Sequence, residues 1–259
     1  MKIVVAIKQV PARDSLLKVN PSATWIEEAD LSWEINEPDA YALEAALQLK
    51  EKIGGEVVVL CAGPERVGQT IREALAKGAD RAIHIEGPDN ENEAIADPLS
   101  LARLMAQALA PEQPDLIVTG LQSDDLGYGQ TGVILAEVMH LPHATLIMSV
   151  EPNGPGIKVK RELEDGWFQY VEMPLPALLT IQSGATRLRY ATLMGIKKAK
   201  SKEVKKLSAA GLGGIGPASV RLDRIAFPQK SKHSQIFDGP PKEAAAQLVE
   251  KLRHEARVI

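Results

Sequence analysis

The chain has 259 residues, 45% of them hydrophobic and 25% charged; it can bury a substantial core as one large domain or one domain with an appendage. Its formal net charge of −4 gives no overall electrostatic reason to bind nucleic acid, and the single cysteine, Cys61, excludes an intrachain disulfide and fits a reducing compartment. Met1-Lys2-Ile3-Val4-Val5 runs straight into strand-like sequence without a secretory leader's apolar core and cleavage site, and no apolar run nears the ~20 residues of a bilayer span, so a soluble, cytoplasmic protein without membrane insertion is expected.

Residues 3–7 form an unbroken apolar run, the mark of a strand buried on both faces. A helix fits 39–52 with Asp39 as its cap. Ala42, Ala46, Leu49 and Ile53 share one side, Leu43 and Leu47 widen that stripe, and Gly54-Gly55 ends it. A strand at 56–60 leads through Ala62-Gly63-Pro64 to a helix at 66–77 stopped by Gly78, and 81–85 is a third strand. Asp97 and Pro98 read as the cap and first position of a helix reaching Leu109. Residues 116–119 are a fourth strand and 130–139 the helix behind it. This alternation predicts an α/β fold with a parallel, doubly wound sheet, Rossmann-like and of the adenine-nucleotide-hydrolase kind.

From 144 the pattern changes. Strands at 144–150, 157–163 and 167–173, separated by Gly154-Pro155-Gly156 and Glu164-Asp165-Gly166, make an antiparallel meander appended to the parallel sheet. Residues 178–181 return to the main sheet. After Tyr190 the regular alternation is lost: 209–218 is rich in Gly and small residues, and 228–241 is polar with Pro and Gly. A last helix at 242–253 carries a narrow stripe of Ala244, Leu248 and Leu252. The expected division is a nucleotide-type α/β domain at 1–190 and a recognition loop with an extended C-terminal arm at 191–259. The arm's helix packs either on another chain or back on its own domain.

The run Gly120-Leu121-Gln122-Ser123-Asp124-Asp125-Leu126-Gly127-Tyr128-Gly129-Gln130-Thr131-Gly132 follows a buried strand and opens a helix, where open α/β sheets place ligands. The free amides and positive end of a helix starting near Gln130 suit a phosphate. Gly127, Gly129 and Gly132 let backbone approach the anion, and Ser123 and Thr131 add hydroxyls. Neither the phosphate-loop pattern nor Gly-x-Gly-x-x-Gly is present, and the same residues also fit a plain glycine-rich surface loop. Asp124 and Asp125 read as turn formers and solvated charges. His84, His140, His143, His233 and His254 are scattered without a ligand cluster, so no metal site is expected. Cys61 reads as a packed small side chain, and no Gly-x-Ser-x-Gly elbow occurs. A nucleotide-type fold lacking a catalytic constellation points to a binding or carrier role. Lys197, Lys198, Lys200, Lys202, Lys205 and Lys206 form a basic stretch, read as solvated surface or as charge offered to an acidic partner or to flavin phosphates. Without interleaved aromatics it is not a single-stranded nucleic-acid platform.

Four stretches in this order resemble the β subunits of electron transfer flavoproteins, over nearly the whole chain: Val4-Val5-Ala6-Ile7-Lys8-Gln9-Val10; Asn36-Glu37-Pro38-Asp39 running into Ala42-Leu43-Glu44-Ala45-Ala46; Thr70-Ile71-Arg72-Glu73-Ala74-Leu75-Ala76-Lys77-Gly78-Ala79-Asp80-Arg81; and Pro176-Ala177-Leu178-Leu179-Thr180 with Arg189-Tyr190-Ala191-Thr192-Leu193. The resemblance implies a heterodimer with an α subunit that holds most of the redox FAD, one AMP in this chain, and no catalytic residues of its own. It implies electrons arriving from flavoprotein dehydrogenases and leaving to a quinone reductase or another acceptor. Carried over by motif, AMP lies against Ala6, Asn36, Glu37, Pro38, Asp39 and Ala62 and the loop residues Gly120, Gln122, Ser123, Asp124, Asp125, Gly127, Gly129, Gln130 and Thr131, with its phosphate at the loop amides. Tyr190 and Leu193 belong to the partner-recognition loop, Leu193 as the apolar anchor. Many relatives have proline where Glu37 stands, and a common version has proline and asparagine in place of Met194-Gly195. The cleft loop looks nearer to the bacterial type serving amine dehydrogenases than to members that place a second FAD in the AMP site. A universal-stress-type nucleotide-binding regulator shares the expected sheet but would lack the meander and long arm. An adenylating pyrophosphatase would need a Ser-Gly-Gly-x-Asp-Ser loop where Lys8-Gln9-Val10-Pro11 stands.

Overall fold

The computed structural model describes residues 1–87, 97–214, 218–220, 222–228 and 234–259, divided into one unit of Met1–Ile225 and another of Ala226–Ile259. The first unit runs through β1 (Lys2–Ile7), β2 (Gln9–Pro11), β3 (Trp33–Ile35), α1 (Glu37–Ile53), β4 (Glu56–Gly63), α2 (Gly68–Lys77), β5 (Arg81–Glu86), α3 (Pro98–Leu109) and β6 (Leu116–Gly120). It continues with α4 (Thr131–Val138), β7 (His143–Asn153), β8 (Gly156–Glu162), β9 (Phe168–Met173), β10 (Ala177–Ile181), α5 (Leu193–Ala199) and β11 (Val204–Ser208). The nine-stranded sheet has the order β11-β5-β4-β1-β6-β10-β7-β8-β9, and β2 and β3 form a separate antiparallel pair. From β11 to β7 neighbouring strands are parallel; β7, β8 and β9 are antiparallel. The expected doubly wound sheet with its meander is present.

The alternation of side chains along β1 explains the two layers. Ile3, Val5 and Ile7 point into one core with α1 and α2, while Val4 and Ala6 point into the other with α3 and α4. Period-two facing with helices on both sides is why the parallel strands read as continuous apolar runs. Asp97 caps α3 as its sequence predicts, accepting from the amides of Leu99 and Ser100 at 2.9 and 3.2 Å. Helix α1 differs from expectation. It begins at Glu37 with Asn36 at its N-cap position, so Asp39 lies inside its first turn and is not the cap.

The chain winds from β1 through β4 to β5, then crosses to the opposite side of β1 to lay down β6. The carboxyl ends of β1 and β6 therefore flank a topological switch point, where a crevice opens.

The sequence reading placed no element between Ile181 and the C-terminal helix, yet α5 packs on α2 and β11 pairs with β5. Strand β11 reads Val-Lys-Lys-Leu-Ser and leaves most of its residues exposed. Lysines on an edge strand blunt further pairing, and they mask the apolar alternation that would reveal the strand. In the second unit, α6 (Pro241–Lys251) continues as one wider turn, Leu252–Ala256, and buries none of its residues. Parts of the 209–218 and 228–241 stretches, and His233, lie outside the described residues. Among the described residues no helix is long and apolar enough to cross a membrane.

Candidate functional site

The switch-point crevice is a cleft of about 210 Å³, far more than the ~10–15 Å³ of such space that one water needs, so it has room for more than a single ordered water. Ala6, Ile7 and Lys8 at the end of β1, Ala62 and Gly63 at the end of β4, and Thr119 and Gly120 at the end of β6 form its floor. One wall is apolar, made by Ile85 of β5 and by Leu101, Leu104 and Met105 of α3. The other is the loop from Leu121 to Gly132.

Asp39 ties the floor together. It reaches from α1 to accept the Lys8 amide on Oδ2 at 2.7 Å and the Gly120 amide on Oδ1 at 3.0 Å, joining the ends of β1 and β6 across the switch. Burial pushes its carboxyl up to about 7, against the pull of those two amides. Asn36, 1% exposed, fastens the loop: its Nδ2 donates to the Gln122 carbonyl at 2.9 Å and its Oδ1 accepts the Asp124 amide at 2.8 Å. Lys8 stands at the lip and donates from Nζ to Asp125 Oδ1 at 2.6 Å. Burial alone would raise the Asp125 carboxyl, but Lys8, the Ser123 hydroxyl and the Leu126 amide together hold the group below its ordinary value.

The N-termini of α1, α3 and α4 all lie at this cleft, and those of α3 and α4 differ. The first-turn amides of α3 are already matched by Asp97. At α4 the Gln130 side chain caps nothing, which leaves the free N–H groups of the first turn as donors for an anion. Gly132 brings that turn close to the sheet, because a Cβ there would stand 2.6 Å from Thr119 Oγ1 and 2.9 Å from Thr180 Cγ2. Gly127 and Gly129 take positive φ, 64° and 62°, as the backbone turns back toward the cleft.

Comparison with known proteins decides the family. The model described as "Electron transfer flavoprotein domain" matches residues 23–212, a span that contains the whole cleft loop. The chain is 34% identical to the electron transfer flavoprotein subunit beta of Methylophilus methylotrophus, covering 96% of this chain and 97% of the relative. It is 35% identical to that of Bacillus subtilis (strain 168), over 90% and 91%, and 33% identical to that of Homo sapiens, over 100% and 99%. The chain belongs to the electron transfer flavoprotein β-subunit family. A plant relative, from Oryza sativa subsp. japonica, is named as mitochondrial and is 34% identical over the full length of both chains.

In this electron transfer flavoprotein β chain the residues singled out by sequence fall into distinct places. Ala6, Asn36, Asp39, Ala62, Gly120, Gln122, Ser123, Gly129, Gln130 and Thr131 line the cleft. Glu37, Pro38, Asp124, Asp125 and Gly127 are not among its lining residues. Asp124 is engaged instead by the Glu37 amide at 3.3 Å and lies 3.6 Å from Arg13, Asp125 is paired with Lys8, and Gly127 donates its amide to the Ser123 carbonyl at 2.9 Å. Sequence reasoning missed the apolar wall of Ile85, Leu101, Leu104 and Met105. Cys61 is buried, and burial with the neighbouring Asp39 charge pushes its thiol up to about 12, so it stays a protonated packing group at neutral pH.

Tyr190 and Leu193 lie far more open, 91% and 87% exposed, with Met194 at 63%. The Thr192 hydroxyl accepts the Gly195 amide at 3.0 Å and so starts α5. Leu193 is thereby displayed on the first turn of a packed helix.

Proposed function

We propose that the chain is the β subunit of a heterodimeric electron transfer flavoprotein that keeps one AMP in the switch-point cleft, while the FAD that carries electrons is held mainly by the α subunit. The observation that carries this reading is that the uncapped turn of α4 and the apolar wall of α3 open into one cleft. One end suits a phosphate and the other an adenine ring. FAD, when bound in the complex, supplies the electron-carrying chemistry. This chain's residues bind, orient and exclude water: Asp39 holds the cleft floor, Asn36 fixes the loop, and the α4 amides receive the phosphate. None of them makes or breaks a covalent bond.

Leu193 inserts into an apolar pocket on a flavoprotein dehydrogenase, and electrons leave to a quinone reductase or another acceptor. The exposed stripe of α6, with Leu248 and Val249 about half open, belongs to the C-terminal arm that embraces the α subunit.

Denaturing the co-purified complex and analysing the released nucleotides by mass spectrometry and absorbance tests the assignment. One AMP and one FAD per heterodimer are expected. FAD at twice that level without AMP would overturn the AMP assignment, and a β chain purifying alone, colourless and free of nucleotide, would overturn the whole reading. Leu193→Ala should slow flavin reduction by the dehydrogenase about tenfold or more, as removal of a central anchor does, with FAD content unchanged. Stopped-flow absorbance reads this directly, and an unaltered rate removes the anchor role.

A further inference from the structure

The segment from 182 to 192 has no regular structure, yet it is gripped from both sides. Glu44, Gln48 and Glu51 lie on one stripe of α1, spaced four and three residues apart. Arg189 donates from Nε to Glu44 Oε2 at 2.8 Å and from Nη2 to Glu44 Oε1 at 3.0 Å, and its backbone amide also reaches Oε2 at 3.2 Å. The same guanidinium donates to Glu51 at 2.6 and 3.2 Å. Gln48 Nε2 donates to Glu44 Oε1 at 2.8 Å and to Thr186 Oγ1 at 2.9 Å. Glu44 is buried; burial acts to raise its carboxyl, but Arg189 and Gln48 hold it below its ordinary value. A paired fork of this kind is both strong and directional, and a lysine cannot reproduce it.

The far end of the segment is seated independently. Gly195 lies so close to α2 that a Cβ there would run into the Ala76 carbonyl oxygen, and Lys202 donates to the carbonyls of Leu75 and Ala79. Leu188 and Ala191 pack inward on the core. The residues between these anchors, Tyr190 and Leu193, are left facing solvent.

We propose that Arg189 is a positioning residue: the Glu44–Arg189–Glu51 clamp sets the 188–196 segment in its docking conformation before a partner arrives. This rests on the docking role proposed above for Leu193. An exposed anchor on an unordered loop must be ordered on binding, and that loss weakens association; fixing the loop in advance removes it. The clamp touches neither the cleft nor Leu193 itself, and it acts only through the course of the chain.

The test uses the intact complex with its α subunit and two variants, Arg189→Lys and the double Arg189→Met/Glu44→Leu, the second leaving no stranded buried carboxylate. Hydrogen exchange at amides 188–196 and the KM for the dehydrogenase that reduces the wild-type complex should both rise about tenfold. Reduction of the flavin by dithionite, which needs no docking, should keep its wild-type rate, and exchange in β1 and β6 should not change. Wild-type exchange at 188–196 in both variants, or a rise shared equally by β1 and β6, overturns the proposal. Leu193→Ala run alongside separates the two claims. An unmoved KM there overturns the docking reading itself, whereas a raised KM there with a wild-type KM in both Arg189 variants overturns the clamp alone.

Discussion

Gly120→Ala should destabilise the protein by about 3 kcal/mol, the upper range for forcing a methyl group into a filled site, and should empty the cleft of nucleotide. A Cβ on Gly120 would stand 2.7 Å from Pro38 Cβ and 2.8 Å from the Asp39 amide nitrogen, and it would also run into Asp39 Oδ1. The first two neighbours belong to α1, and neither is the free end of a flexible side chain. Relief therefore requires α1 to move away from β6, which breaks the bond between the Gly120 amide and Asp39 that closes the cleft floor. Urea denaturation followed by circular dichroism gives the stability change, and the nucleotide content of the purified complex gives the second effect. A variant with the wild-type midpoint and a full complement of AMP would show that the junction yields easily.

The second large effect is a pH dependence carried by Asp39. Its folded pKa is raised by burial to about 7, above the ~3.9 of an exposed aspartate, so the folded state holds this proton more tightly than the unfolded chain does. The stability it contributes is fully present below pH ~4 and is lost as the pH rises to about 7. Asp39→Asn removes this titration while keeping one acceptor oxygen. The stability of the wild type relative to Asp39→Asn should fall by up to about 4 kcal/mol between pH 4 and pH 7 and then level off. The difference between the two proteins is the quantity to measure, because carboxylates held low by arginine, Glu44 and Glu112 among them, stabilise in the opposite direction as pH rises. A difference that stays constant across this range would mean that the two amides keep Asp39 ionised throughout.

The parallel sheet was legible because β1, β4 and β6 are buried on both faces and read as nearly continuous apolar runs, broken inside only by Thr119 of β6. The cap of α3 was legible to the residue, since Asp97-Pro98 states its chemistry locally. The cleft loop could be found for the same kind of reason: glycines, hydroxyls and a helix start follow directly on a strand. Asp39 was misread as the cap of α1 because a side chain that reaches across the fold to Lys8 and Gly120 looks, in sequence, like any acidic residue at a helix start. The apolar wall escaped because Leu101, Leu104 and Met105 have the spacing of ordinary core residues, and only the crossover to β6 leaves that face of α3 open to a ligand. Arg189 was visible only as part of a motif, because both of its partners lie more than a hundred residues away on α1. Edge strand β11 was hidden by its lysines.

Helix α1 carries Asn36 and Asp39 at the cleft and Glu44, Gln48 and Glu51 under the Arg189 segment, all on one continuous rod. From Asp39 to Glu51 that rod spans roughly 18 Å, and a packed helix of this length tilts or slides as a whole instead of bending locally. The switch-point cleft and the Arg189 segment thus share one structural element. A substitution that shifts α1 bodily is therefore expected to disturb both places, whereas one that only frees the Arg189 segment leaves the cleft as it is.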